Sequence, residues 1–195
     1  MAEMNIKGKH ILENAKVFDN AQISQNAVVA DDGEVSGEAV VRGFAKVWDK
    51  ARVWGGRVYD QAQVGGLAEV SDDAEVMGNA EVSGSARVYG DAHVYDNAKA
   101  YGDTRIYGDA VVCGDAEVCG AARVFGEAKV CGNAEVGGNA EVFGNATISG
   151  GYVGGAARIG GTAVILGGTW DGSEGEILEG TWDAPGVPHK EAEAS

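Results

Sequence analysis

Gly78-Asn79-Ala80-Glu81-Val82-Ser83 is followed by Gly84-Ser85-Ala86-Arg87-Val88-Tyr89, and then by Gly90-Asp91-Ala92-His93-Val94-Tyr95. The unit is six residues long: Gly, Asp or Asn, Ala, a variable residue, Val, a variable residue. Working outward from this stretch, the valine-type position recurs in sixes from Ile11 to Val53, from Val58 to Ile148 and from Val153 to Ile165. Alanine stands two residues earlier almost throughout, as at Ala15, Ala74, Ala110 and Ala140. Two units, Val53-Trp54-Gly55-Gly56-Arg57-Val58 and Ile148-Ser149-Gly150-Gly151-Tyr152-Val153, are one residue short. Each replaces the alanine with a glycine pair able to close a tighter turn. Spacing that resumes after each deletion marks the repeat as structural.

A helix would be weakened by glycine at every sixth residue. Alternation points instead to a short strand with alanine and valine on its inner face and the residues flanking valine outside. Gly-Asp or Gly-Asn then makes the corner, where a positive φ is tolerated. The expected fold is all-β. The aliphatic residue with a small residue four positions on (Val88…Ala92, Val112…Ala116, Val142…Ala146) resembles the hexapeptide-repeat, left-handed parallel β-helix family. The resemblance covers most of the chain and implies triangular coils of three hexapeptides and a left-handed wind. It also implies a trimer with ligands bound between subunits. Glycine two residues after the aliphatic position departs from the common family pattern. It brings the chain closer to uncharacterised bacterial and bacteriophage proteins rich in Gly-Asp-Ala-Arg-Val-Tyr units.

Twenty-seven marker positions, three to a coil, predict about nine coils over 11–167. At about 4.8 Å per coil the prism is roughly 43 Å long. Its open ends need covers. Residues 1–10 are the expected N-terminal cap. The stretch 168–195 loses the six-residue spacing and repeats Gly-Thr-Trp-Asp at 168–171 and 180–183, so it reads as a short hairpin-like cap or oligomerisation segment with an acidic tail.

Composition narrows the function classes. The 195 residues contain 32 Gly and 2 Pro and carry a formal charge of −15. Collagen is excluded by the missing Gly-X-Y period. The charge argues against general binding to duplex nucleic acid or anionic membrane. No apolar run is long enough to span a membrane, and the first residues lack the apolar core of a signal peptide. Three cysteines without metal-ligand spacing agree with a reducing compartment, so a cytoplasmic protein is expected, in the host cytoplasm if phage-encoded. Free thiols are expected at Cys113 and Cys131, which the spacing stacks on adjacent coils. No cofactor and no metal are expected. The corner acids Asp73, Asp91, Asp109 and Glu127 form one column whose turn chemistry accounts for them without a cation.

With three sides per coil, every third hexapeptide falls on one face. The second face gathers Lys16, Glu34, Arg52, Glu69, Arg87, Arg105, Arg123, Glu141 and Arg158 in one outward column. Phe18, Ser36, Trp54, Ser71, Tyr89, Tyr107, Phe125 and Phe143 form the column beside it. Such a pairing can stack planar rings and grip phosphate. Arg52, Trp54, Arg87, Tyr89, Arg105, Tyr107, Arg123 and Phe125 are therefore the candidate ligand-binding residues, for a small anionic and nucleotide-like ligand. A structural role for the same ladder stays open beside it. The third face carries Val40, Met77, Tyr95, Val111, Cys113 and Cys131, an apolar outward stripe that marks a self-contact in a homotrimer. His93 is the one histidine amid the repeats. It would be catalytic only if the chain were a coenzyme A-dependent acyltransferase, the activity that the resemblance invites. A purely structural or assembly protein is the third reading, and a zinc enzyme would need more histidines.

Overall fold

The structure, a computed structural model, describes residues 11–24, 26–184 and 187–188, the last two and Ala184 by their backbone. The predicted N-terminal cap at 1–10 and the tail beyond 188 lie outside the described residues. Short strands and turns account for the fold: a parallel β-helix of about nine coils whose three sheets contain nine, ten and eleven strands. Among the described residues no helix is long and apolar enough to cross a membrane.

Each strand pairs in parallel with the strand one coil on, as Glu81 with Lys99, Arg87 with Arg105, and His93 with Val111. Backbone N–H groups donate along the prism axis; Arg87 N reaches Thr104 O at 2.9 Å and Lys99 N reaches Ala116 O at 2.9 Å. The six-residue unit closes because Ala86 N returns to Ser83 O at 3.3 Å across the corner. Gly84 at that corner has φ +67°, and a Cβ there would lie 2.7 Å from Gly102 N of the next coil. Both short units keep the register, with Val41 opposite Val58 and Val136 opposite Val153. The five-residue units thus remove a corner residue without slipping a face, which a one-residue slip in a strand would have done.

The interior is a column of alanine and valine, fully buried from Ala27 through Ile165 with few exceptions. One coil differs. Ala100 stands where its neighbours in the sheet are Val82 and Val118, and on the adjoining side Thr104 and Ile106 replace the usual alanine and valine. All three are buried, so one side's lost volume is offset by the other's gain. The exchange leaves a polar cost: Thr104 Oγ1 is buried without a hydrogen-bond partner among the described residues. A Thr104→Val substitution is expected to raise unfolding free energy by about 1–2 kcal/mol, because it keeps the shape and removes the orphaned hydroxyl. Urea denaturation of the two proteins checks this, and an unchanged midpoint would mean that the hydroxyl has a partner in solution.

Strand pairing runs on beyond Ile165. The strands Thr169–Trp170, Glu176–Ile177 and Thr181–Ala184 continue the three sheets in parallel, so Trp170 lies opposite Val153 and Trp182 opposite Ile165. The stretch expected to form a hairpin-like cap therefore begins with a further coil. Among the described residues, two strands pair antiparallel only where Thr181–Ala184 meets Val187–Pro188, beside one isolated antiparallel bridge between Gly55 and Ser71 at the first short unit. Trp170 is fully buried, donates Nε1–H to Gly167 O at 2.8 Å and meets Trp182 edge-on at 6.0 Å. The two indoles fill the C-terminal end of the core.

Aspartates at the corners do more than permit the turn. Asp19, Asp31, Asp49, Asp60, Asp72 and Asp96 have φ between 55° and 61°, the conformation glycine takes elsewhere. Each sends a carboxylate one coil forward to accept a corner N–H, as Asp60 does from Gly78 at 3.2 Å and Asp96 from Gly114 at 3.1 Å. These residues restore a hydrogen bond that a glycine corner lacks.

Candidate functional site

The second sheet brings the candidate residues together in the register that the spacing predicts. Arg87, Arg105 and Arg123 stand opposite one another on consecutive strands, and Tyr89, Tyr107 and Phe125 do the same two residues later. Arg52 and Trp54 belong to the same two columns, two coils earlier, with Glu69 and Ser71 between. Parallel pairing forces this arrangement, because it sets like positions of neighbouring coils side by side about 4.8 Å apart.

The rings stack on each other. Tyr89 and Tyr107 lie 4.9 Å apart and nearly parallel, Tyr107 and Phe125 5.1 Å apart, Phe125 and Phe143 5.5 Å apart. Arg158 covers the stack's far end, with its guanidinium 5.2 Å from the centre of Phe143. Most ring faces are thus already occupied by protein. Burial within the stack pushes the Tyr107 phenol above its ordinary value, and Tyr89 adds to this while Arg123 and Arg105 oppose it.

The charged column is a relay of exposed ion pairs. Glu69 sits between Arg52 at 3.7 Å and Arg87 at 3.3 Å. Glu141 takes Arg123 at 3.3 Å and also Arg158, whose Nε reaches Glu176 at 3.1 Å. Each pair is solvent-washed and contributes little alone. Among the described residues, Lys16 and Glu34 at the column's start make no ion pair, and neither does Arg105, which alone in the column has arginines on both neighbouring strands and has no carboxylate within ion-pair distance. Beside the relay lies an open depression of about 280 Å³ lined by Lys50, Arg52, Leu67, Glu69, Ser85 and Arg87.

The other candidates sit apart from this face. His93 lies on the third sheet with its side chain 41% exposed, and its Nδ1 is 3.5 Å from Glu75, a carboxylate shared with Arg57 at 3.1 Å. Cys113 and Cys131 correct the expectation of free thiols, since they form a disulfide across neighbouring coils. Their Cα atoms are 4.6 Å apart, within the range a disulfide bridges, because parallel register sets positions eighteen residues apart side by side. Cys119 is the free cysteine. It lies next to Tyr101, whose phenol burial pushes up to about 12, with Cys119 and Glu117 adding to the shift. Tyr101 and Lys99 both donate to Glu117, which holds that carboxyl below its ordinary value, Lys99 contributing most.

The third-sheet residues Val40, Met77, Tyr95 and Val111 are half-buried and lie along the sheet beside the disulfide. Of the corner acids, Asp73 pairs with Arg57 at 3.3 Å, and Glu127 accepts from Asn145 at 2.9 Å. The described residues contain no cluster of metal-ligating side chains. With the geometry in place, neither a protein-family model nor a curated protein matches this chain.

Sequence reasoning placed the Arg and aromatic columns but missed two things about them. It did not separate Arg105 from its paired neighbours, although the order Lys, Glu, Arg, Glu, Arg, Arg, Arg, Glu, Arg along the column carried that signal. It also did not see that the rings would occupy each other's faces.

Proposed function

We propose that this chain is a non-enzymatic binding protein that holds a small anionic ligand on the Arg87–Arg105–Arg123 stripe of its second sheet. The observation that carries this reading is Arg105, a guanidinium without a carboxylate at the centre of three arginines, in a chain of charge −15. An anion there would relieve repulsion between like charges and accept hydrogen bonds from planar donors. The assembly is a homotrimer joined through the third sheet at Val40, Met77, Tyr95, Val111, Cys113 and Cys131, with the stripe bordering a cleft between subunits. A cytoplasmic sequestering protein for a nucleotide-like ligand is the use suggested by the resemblance to bacteriophage repeat proteins.

The ion-pair relay and the ring stack favour a second reading, a rigid assembly element in which these residues serve only stability. A coenzyme A-dependent acyltransferase rests on His93 alone, and its half-exposed side chain on an inner strand of the third sheet, outside any described cavity, gives that reading little support.

Arg105→Glu separates the first two. The new carboxylate would stand between Arg87 and Arg123 and continue the alternation of charge, so the melting temperature should hold or rise. Binding of inorganic pyrophosphate, measured by titration calorimetry on material whose native mass is three times the 20.0 kDa chain, should weaken at least about tenfold. Equal pyrophosphate affinity in both proteins, or none in the wild type, would sink the binding reading and leave the assembly role.

A further inference from the structure

The aromatic column has one rung without a ring next to a bare ring face. Reading along the second sheet, the column runs Phe18, Ser36, Trp54, Ser71, Tyr89, Tyr107, Phe125, Phe143. From Tyr89 to Phe143 each coil supplies a ring, at separations of 4.9 to 5.5 Å. Before Tyr89, rings alternate with serines. The Ser36 level is covered all the same, because the indole of Trp54 folds back over it: a Cβ on Gly37 would come within 2.8 Å of Trp54 Cδ1. By turning that way, Trp54 leaves the Ser71 level uncovered. The face of Tyr89 directed toward Ser71 therefore carries neither a ring nor a guanidinium among the described residues, while its other face lies on Tyr107.

We infer that the Ser71 level is a stacking site for a planar heteroaromatic ring, and that the ligand of the arginine stripe is a nucleoside monophosphate. Its base continues the protein's own stack on Tyr89, and its phosphate reaches Arg105. This rests on the binding reading above and specifies its ligand. Three features fit together. Ser71 is one coil before Tyr89, about 4.8 Å, which is the spacing at which the protein's rings already stack. Glu69, on the same strand, offers carboxylate oxygens to ring N–H donors at that level, and Arg52 and Arg87 hold it in place. Arg105 is two coils from Ser71, about 9.6 Å along the axis, and one column to the side, about 6.6 Å along the strand, a gap that the sugar of a mononucleotide and the long arginine side chain span together. The stack excludes the alternative of a base entering between Tyr107 and Phe125, since those faces are covered.

The test uses adenosine 5′-monophosphate and ribose 5-phosphate as probes, titrated calorimetrically into the intact protein and into Ser71→Tyr. Tyrosine at 71 would supply the missing rung itself, in a column that accepts rings at most other levels, so folding should be preserved. The wild type should bind the nucleotide about tenfold more tightly than the sugar phosphate, the usual gain from stacking one base. In Ser71→Tyr that preference should vanish while ribose 5-phosphate binds as before. Tyr89→Leu, which keeps bulk but removes the ring face, should lose the preference in the same way. A wild type that binds both probes equally overturns the stacking site and leaves the arginine stripe standing. A preference that survives both substitutions also overturns it. Binding of neither probe removes the stripe and the stacking site together.

Discussion

Ile106→Ala is expected to lower unfolding free energy by about 2–5 kcal/mol, the cost of emptying a well-packed aliphatic site. Ile106 is fully buried in the coil that already has Ala100 in place of valine, and Thr104 and Ile106 supply the volume that Ala100 gives up. Removing three carbons there leaves a hollow that neighbouring alanines are too short to fill. The location adds to the effect. In a solenoid each coil is stabilised by the two beside it, so a lesion in the middle weakens the coupling between both halves. Ile106→Val should cost only about 0.5–1.5 kcal/mol. Urea denaturation followed by circular dichroism would measure both, and a loss below about 1 kcal/mol for the alanine variant would contradict the close packing of this coil.

Asp96→Ala should cost about 2 kcal/mol, and Asp96→Gly distinctly less. Asp96 has φ 61°, and its carboxylate accepts the Gly114 N–H at 3.1 Å. Alanine loses that hydrogen bond and keeps the Cβ in left-handed backbone, a steric cost of roughly 1–2 kcal/mol that no side-chain hydrogen bond then offsets. Glycine loses the bond but adopts the conformation freely. Thermal melts of the three proteins give the order expected: wild type, then glycine, then alanine. Equal melting temperatures for the two variants would show that the backbone conformation carries no cost, leaving only the hydrogen bond.

Much of the fold is legible in the sequence because one rule governs it. Alanine and valine two apart face inward, and the six-residue spacing fixes which residues share a sheet, through both shortened units at 53–58 and 148–153. Legibility ends after Ile165, where the inward residues are Trp170, Ile177 and Trp182. Their steps of five, seven and five residues break the period while the hydrogen-bonded sheets continue. Turn length varies there, and larger side chains replace valine as the core nears its end. The aspartate corners read as turn formers, but the reach of their carboxylates across a coil depends on rotamer and rise, which composition does not encode.

For the candidate site, spacing identifies which side chains are neighbours but not which of several neighbours each will choose. Glu69 has an arginine on either side and pairs with both, whereas Arg105 has arginine on either side and pairs with neither. Trp54 had two directions open to it and turned toward Gly37. The Cys113–Cys131 disulfide was hidden for another reason: the spacing showed that the sulfurs were close, but oxidation state is not written in a repeat.

The coil that repeats with one register and one rise also behaves as a unit of heredity. In-frame duplication of the coding segment for a single coil would insert another rung without changing the inward pattern, the sheet order or either end. Excision would remove one as quietly. Such a chain can change its length in steps of one strand spacing while every surface column stays aligned. A new ligand-facing residue then needs only a point change in one copy, while its neighbours keep the scaffold intact.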